Sequence, residues 1–231
     1  MIFLPENIIN MKKLLFCLSL MGMVFLTSCG TDKDTITASE AQDEASASED
    51  AHVYTLNTDI SSTTWRGFKI FDDSTKPEEG HYGSIKMKSG EVTMKHGVLE
   101  SGKFVADQTS LENDDLADSP EYKAKLEGHL KSADFLDVDQ YPEATFVVSG
   151  TKTLEEGDYN TEISGNLDFR GAPKNITFKA NVKEEDGKLT INSEEFKINR
   201  QDFGINFQPG AGTIIKDEVV LQVNITAELA K

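Results

Sequence analysis

Near the end of the chain, apolar and polar side chains alternate without a break. Val219, Leu221, Val223, Ile225, Ala227 and Leu229 fall on one face of an eleven-residue run. A period of two predicts a β-strand with one face buried. The same alternation runs through Ile163, Gly165, Leu167 and Phe169, and again through Ile176, Phe178, Ala180 and Val182. Gly171-Ala172-Pro173 and Glu185-Asp186-Gly187 supply turn residues after these runs, the second in hairpin form. Leu189 and Ile191 are followed by Phe196 and Ile198, a change of parity that predicts a bulge or bend. Upstream, residues 53–56, 62–70 and 146–148 read as strands. Residues 81–87 and 90–94 read as the arms of a hairpin, and 98–111 as a long strand interrupted at Gly102.

One stretch, 119–146, departs from this pattern. Ser119 stands where an N-cap is wanted, and Pro120 occupies the first helical position, where its missing N–H is no loss. Tyr122, Leu126 and Leu130 then form an apolar stripe at helical spacing, and Gly128 weakens the helix without forbidding it. Ser132 can cap a second short turn carrying Phe135 and Leu136, before Tyr141-Pro142 forces the backbone to extend.

Strands that do not alternate with helices argue for an antiparallel sheet. About eight such strands close into a barrel wide enough for one ligand, and closure removes exposed edges. The expected fold is therefore all-β: an antiparallel barrel over residues 52–231, with a helical excursion over 119–139 laid on its mouth.

The first 51 residues read differently. Met11-Lys12-Lys13 opens a basic segment, and 14–26 is apolar apart from Ser19 and Gly22. This length suits a signal-peptide core and falls short of the roughly 20 residues of a membrane helix. Leu26-Thr27-Ser28-Cys29 resembles the bacterial lipoprotein box, in which the cysteine is lipidated and becomes the mature N-terminus. The rival reading is an ordinary signal peptide with a stray cysteine. Residues 1–28 are thus expected to be a signal peptide, with Met11 as the true start. Residues 29–51 are expected to be a lipidated Cys29 followed by a disordered acidic tether, either a spacer or a sorting tag.

Composition narrows the function. The chain has 231 residues with 23 basic and 40 acidic side chains, a net charge of −17. Such a chain repels a phosphate backbone, which argues against nucleic acid as a partner. It also needs an anchor to stay on anionic lipid, here the expected N-terminal acyl groups. Cys17 and Cys29 both lie near the N-terminus, so neither staples the globular part, and the four histidines are scattered. No metal site is expected, and the acidic loop 112–118 lacks EF-hand spacing. The chain has neither a Gly-x-Ser-x-Gly elbow nor a His-Glu metalloprotease motif, so it is not expected to be an enzyme.

His129-Leu130-Lys131-Ser132-Ala133-Asp134-Phe135-Leu136-Asp137, with Tyr141-Pro142 and Phe146 behind it, is similar to the signature of the YceI-like family. His81 with Gly83, and Asp107 with Ser110, resemble further pieces of its pattern. So do Gly165-Asn166-Leu167-Asp168-Phe169-Arg170-Gly171 with Pro173-Lys174, and Ile198-Asn199-Arg200-Gln201-Asp202-Phe203-Gly204-Ile205. The pieces occur in the family's order and span residues 53–230. Two departures are Leu136, where an aromatic is usual, and the acidic insert between Phe71 and Gly80.

The resemblance implies an envelope protein, periplasmic or secreted, with a lipocalin-like barrel that holds an isoprenoid lipid, either a polyprenyl chain or an isoprenoid quinone. Phe104, Phe146, Phe169, Phe178, Phe196 and Phe203 are then candidates for the lining. Burying about 20 tail carbons supplies on the order of 10 kcal/mol before association costs. Arg200, His81 and His129 are candidates to meet the head group. Against this, Arg200 can pair with Asp202 or Asp107 and tie a barrel end shut, and His129 can be a packing residue. The alternative function is a filled barrel that serves as a structural or protein-interaction lipoprotein. Whether two barrels pair as a homodimer stays open.

Overall fold

The structure, a computed structural model, describes residues 35–230. The expected signal peptide, Cys29 and the first residues of the tether lie outside them. Thirteen strands form one sheet. In chain order they begin β1 (Ser39–Glu40), β2 (His52–Leu56), β3 (Ser62–Phe71), β4 (Glu79–Lys95), β5 (Val98–Asp107) and β6 (Glu112–Asn113). After the helix α1 (Pro120–Lys131) come β7 (Glu143–Thr153), β8 (Thr161–Phe169), β9 (Ala172–Glu185) and β10 (Lys188–Ser193). The last are β11 (Phe196–Asn199), β12 (Thr213–Ile215) and β13 (Glu218–Leu229).

Eight strands close a ring in the order β9-β8-β7-β5-β4-β3-β13-β10, with β10 returning to β9. The ladders of the ring are antiparallel, as expected. Strand β13 is the spine. One of its edges pairs first with β11 and then with β10; the other pairs first with β3 and then with β2. Its unbroken alternation keeps one face inward past all four partners.

Strand β4 corrects the sequence reading. It is one strand of 17 residues, not a hairpin. Its first half pairs with β3 and its second with β2 and β5, and the register shifts between Met87 and Ser89. The extra residue bends the strand around the barrel instead of reversing it. In β5 the register shift falls at Glu100, not at Gly102. That strand ends at Asp107, whose carboxylate accepts from Thr109 N–H (3.0 Å) and turns 108–110 into a single 3-10 turn.

The tether is also corrected where it is described. Residues 35–51 lie along the wall rather than free. Over 172–177, β9 has no ladder with β11 among the described residues. The N-terminal segment bridges this seam: Ser39 and Glu40 pair with Asn175 and Lys174 of β9, and Thr35 pairs with Lys197 of β11. Ile36 N–H donates to the Lys197 carbonyl at 2.8 Å. The chain then crosses the outside of the barrel, with Gln42 N–H on Asn166 (2.9 Å), Ala45 N–H on the Val148 carbonyl (2.9 Å) and Ser48 N–H on Glu100 (2.8 Å). A polar segment cannot build a core of its own, but it can complete the unpaired backbone edges of another element. Ile36, Ala38 and Ala45 add contacts to the main apolar cluster. Ile36→Asp is expected to cost about 1–2 kcal/mol, read as a lower urea midpoint at unchanged m.

At the end of the barrel away from α1, Tyr54, Val92, Met94, Leu99 and Leu189 pack without gaps to solvent. Burial, and then the hydrogen bond to the Glu184 carboxylate, push the Tyr54 phenol up to about 12 from 10.0. A raised acid stabilises the fold fully below its unfolded value, and that contribution is lost as the pH climbs from about 10 towards 12. Between about pH 9 and 11, the urea midpoint is therefore expected to fall less for Tyr54→Phe than for the native chain.

Candidate functional site

The other half of the barrel is hollow. A cavity of about 360 Å³ opens between the ring and the helical cap, within the usual range for ligand sites. Strand parity delivers its wall. Phe104 and Phe146 face each other across β5 and β7, and Ala106 faces Ala144 one step on. The rings continue inward, Phe146 to Phe178 at 5.5 Å between centroids and Phe178 stacked on Phe196 at 4.7 Å. A glycine is required under this aromatic file: a Cβ on Gly165 would come within 2.3 Å of Phe146 Cζ. Phe169 lines the cavity as well. Phe203 does not. It is buried behind the wall, edge-on to Phe169 at 5.5 Å, and so is a packing residue rather than lining.

The cap is thin. Leu126 and Leu130 of α1 line the cavity, but Tyr122, expected on the same stripe, is 69% exposed. Ser119 holds the N-cap position without a side-chain cap bond. Below the helix, Phe135 and Leu136 are buried. Phe135 packs on Phe207 at 5.3 Å, and His129 stands edge-on to both rings.

Two side chains hinge the cap to the ring. Fully buried Asn113 donates through Nδ2 to the Tyr82 carbonyl (3.1 Å) and to Asp115 (2.6 Å), and accepts from Leu116 N–H (3.0 Å). Its own N–H donates to Glu127 of α1 (2.8 Å). Strand β6 sits so close on β4 that a Cβ on Gly83 would lie 1.8 Å from the Glu112 carbonyl oxygen. On the far side, Arg170 donates to the carbonyls of Ala133 (2.8 Å) and Gly204 (3.2 Å).

His81 and His129 both border the cavity, and each has a carboxylate. His81 Nδ1 lies 2.8 Å from Asp115, and His129 Nε2 lies 3.1 Å from Asp134. Burial alone would raise the Asp115 carboxyl, but the Tyr82 N–H, His81 and Asn113 together outweigh it and hold it below the usual 3.8. A depressed acid stabilises the fold above its unfolded value. The Asp115 contribution is therefore present above pH 3.8 and is lost as the pH falls below it. The protection factors of the α1 amides, corrected for the intrinsic rate at each pH, are expected to fall on acidification below about pH 4, less so in Asp115→Asn.

Arg200 does not present a free guanidinium. It is 2% exposed. It donates to the carbonyls of Ile205 (2.7 Å), Lys216 (3.2 Å) and Ile215 (3.4 Å), and to Asp217 (2.9 Å). Burial draws its pKa down, and Asp217 opposes that. Its partner is Asp217, not Asp202 or Asp107, and its four bonds gather the loop 205–217 at the rim.

Sequence reasoning passed over two polar residues of the wall. Trp65 Nε1 and both side-chain polar atoms of Gln108 are buried, border the cavity, and have no hydrogen-bond partner. Gln108 follows Asp107 in the capped turn, and that turn is the local signal for an in-facing polar side chain at a strand end. Among the described residues, no group of three or more His, Cys, Asp or Glu is placed to hold a metal ion.

A barrel with this topology, helical cap and Phe-lined hollow can be compared with known proteins. Residues 54–227 match the YceI-like domain. The chain belongs to that family. A UPF0312 protein of Pseudomonas putida is 38% identical over 155 residues, covering 62% of this chain and 64% of the relative. Protein YceI of Salmonella arizonae is 34% identical over 107 residues, covering 44% of this chain and 53% of the relative. The matched part thus spans less than two thirds of either relative. Among solved structures, Burkholderia cenocepacia BcnA shares the fold at TM-score 0.54 and 20% identity, over 74% of this chain and 99% of its own. A polyisoprenoid-binding domain from Saccharophagus degradans, implicated in plant cell wall breakdown, does so at TM-score 0.51 and 14% identity, over 77% and 98%. The YceI-like barrel is thus the frame that holds the cavity.

Proposed function

We propose that this protein binds one isoprenoid lipid inside its barrel, without catalysis, to sequester or carry it in the cell envelope, where acyl groups on Cys29 anchor it. The observation that carries this reading is the hollow half of the barrel, walled by a file of phenylalanines and closed by a thin helical cap. A binding neighbour with the same fold supports the ligand class. The hollow also favours a carrier over the filled, interaction-only barrel. The helix of the cap buries none of its residues fully, so it can open locally, which gives the tail a way in. Membership of the family supports binding rather than chemistry.

Native mass spectrometry of the protein, purified as bacterial cells process it and freed of detergent only in the gas phase, tests this reading. The expected result is a stoichiometric adduct that releases a polyprenyl or quinone lipid on organic extraction. A clean apo mass, with no uptake of offered isoprenoids, would overturn it. The same spectrum reads the anchor: native chain is expected to carry acyl mass that Cys29→Ser lacks.

A further inference from the structure

The cations that border the cavity are already committed. Lys69 lies 2.8 Å from Glu79, Lys216 lies 2.8 Å from Glu78, and Arg200 lies 2.9 Å from Asp217. His81 and His129 have Asp115 and Asp134. A phosphate or diphosphate head would meet a carboxylate beside each of these cations, and it would enter against a net charge of −17.

The uncommitted polar groups are neutral. Gln108 is 0% exposed, and its backbone N–H is spent on the Pro142 carbonyl at 2.9 Å, while its side-chain amide meets nothing. The Trp65 indole N–H is likewise unmet. Nine in ten or more buried polar groups find a partner in folded proteins, and leaving one unmade is costly. Gln108 extends the wall stripe of Phe104 and Ala106, and Trp65 packs with Leu111, Phe135 and Leu136 under the cap. Both therefore belong to the cap-side half, the end from which a tail would run down to Phe178 and Phe196. Trp65 can only donate, whereas Gln108 can both donate and accept. A carbonyl oxygen can take either N–H, and a hydroxyl can also donate to Gln108 Oε1.

We infer that the lipid has an uncharged oxygen head, a quinone carbonyl or a prenol hydroxyl, seated on the cap side against Gln108 and Trp65. This rests on the lipid-binding reading above and names the class of head that it takes. Phosphorylated prenyl lipids are selected against by the carboxylates that stand beside the cations bordering the cavity among the described residues.

The test uses the single tryptophan as reporter. Quenching of Trp65 fluorescence in delipidated full chain is measured with ubiquinone-2, and geraniol, geranyl phosphate and a headless terpene hydrocarbon are titrated as competitors. Ubiquinone-2 and geraniol are expected to bind at least tenfold more tightly than geranyl phosphate, and the order of the first two separates quinone from prenol. Gln108→Leu is expected to weaken the oxygenated ligands about tenfold, leave the hydrocarbon unchanged, and raise the melting temperature of the apo protein by removing an unmet polar group. Trp65→Phe, read by native mass spectrometry, is expected to behave likewise. Equal binding of geranyl phosphate, or unchanged affinity in both variants, would overturn the inference and leave lipid binding standing. Failure of all four ligands, the hydrocarbon included, would instead overturn the lipid reading itself.

Discussion

Arg200→Met is expected to lower the stability of the barrel by about 2–4 kcal/mol, with the urea midpoint falling and m unchanged. The methionine fills much of the volume but donates nothing. Two carbonyls, on buried Ile205 and half-buried Lys216, would lose the guanidinium, while the Ile215 carbonyl keeps Gln208 Nε2 at 3.0 Å. Each unmet buried acceptor costs about 1–3 kcal/mol. Asp217 would lose its cation, but part of its side chain reaches water, which places the total towards the lower end. Arg200→Lys is expected to recover little of the loss, because one ammonium on a flexible stem cannot reach four acceptors spread in a fan. A head-group role would show the opposite pattern: normal stability and poor ligand retention.

Ala144→Trp is expected to abolish lipid uptake while leaving the fold intact. Ala106 and Ala144 are a pair of small side chains facing each other on the cavity wall, next to Phe104 and Phe146. An indole there projects into space rather than into packed neighbours, so the usual overpacking penalty does not apply. It excludes about one isoprene unit. At about 0.8 kcal/mol per methylene, five carbons amount to about 4 kcal/mol, a loss of affinity near a thousandfold. Loss of the co-purifying adduct, with an unchanged or higher melting temperature, is the readout. An adduct of native abundance would mean that the tail does not pass this level of the barrel.

These two variants also mark where sequence reading was strong and where it was not. The alternation around Phe169 and Phe178 was legible in their strands, whereas Phe104, Phe146 and Phe196 were named as lining through the family resemblance, and all five border the cavity. Phe203 was misjudged because it sits on a turn, where a period of two no longer tells inward from outward. Tyr122 was misjudged for a related reason: a helix lying over an opening buries only the narrow strip that meets the rim. Arg200 was legible as a residue with a task, but its partner was not, because Asp217 reaches it only once β11 and β13 pair.

The sequence by itself determined the class of fold, the position of the helix and the alternating strands 161–169, 172–185 and 218–229. All of these follow from local periodicity and turn chemistry, which act over a few residues. The tertiary structure decided what depends on partners far apart in the chain. It made 79–95 one bent strand, because β2 and β3 share its edge. It drew 35–40 onto the seam between β9 and β11, because an open sheet edge binds backbone whatever the side chains. It left Gln108 and Trp65 facing a hollow with their hydrogen bonds unmade, because whether a polar group is satisfied depends on every element around it and on none alone.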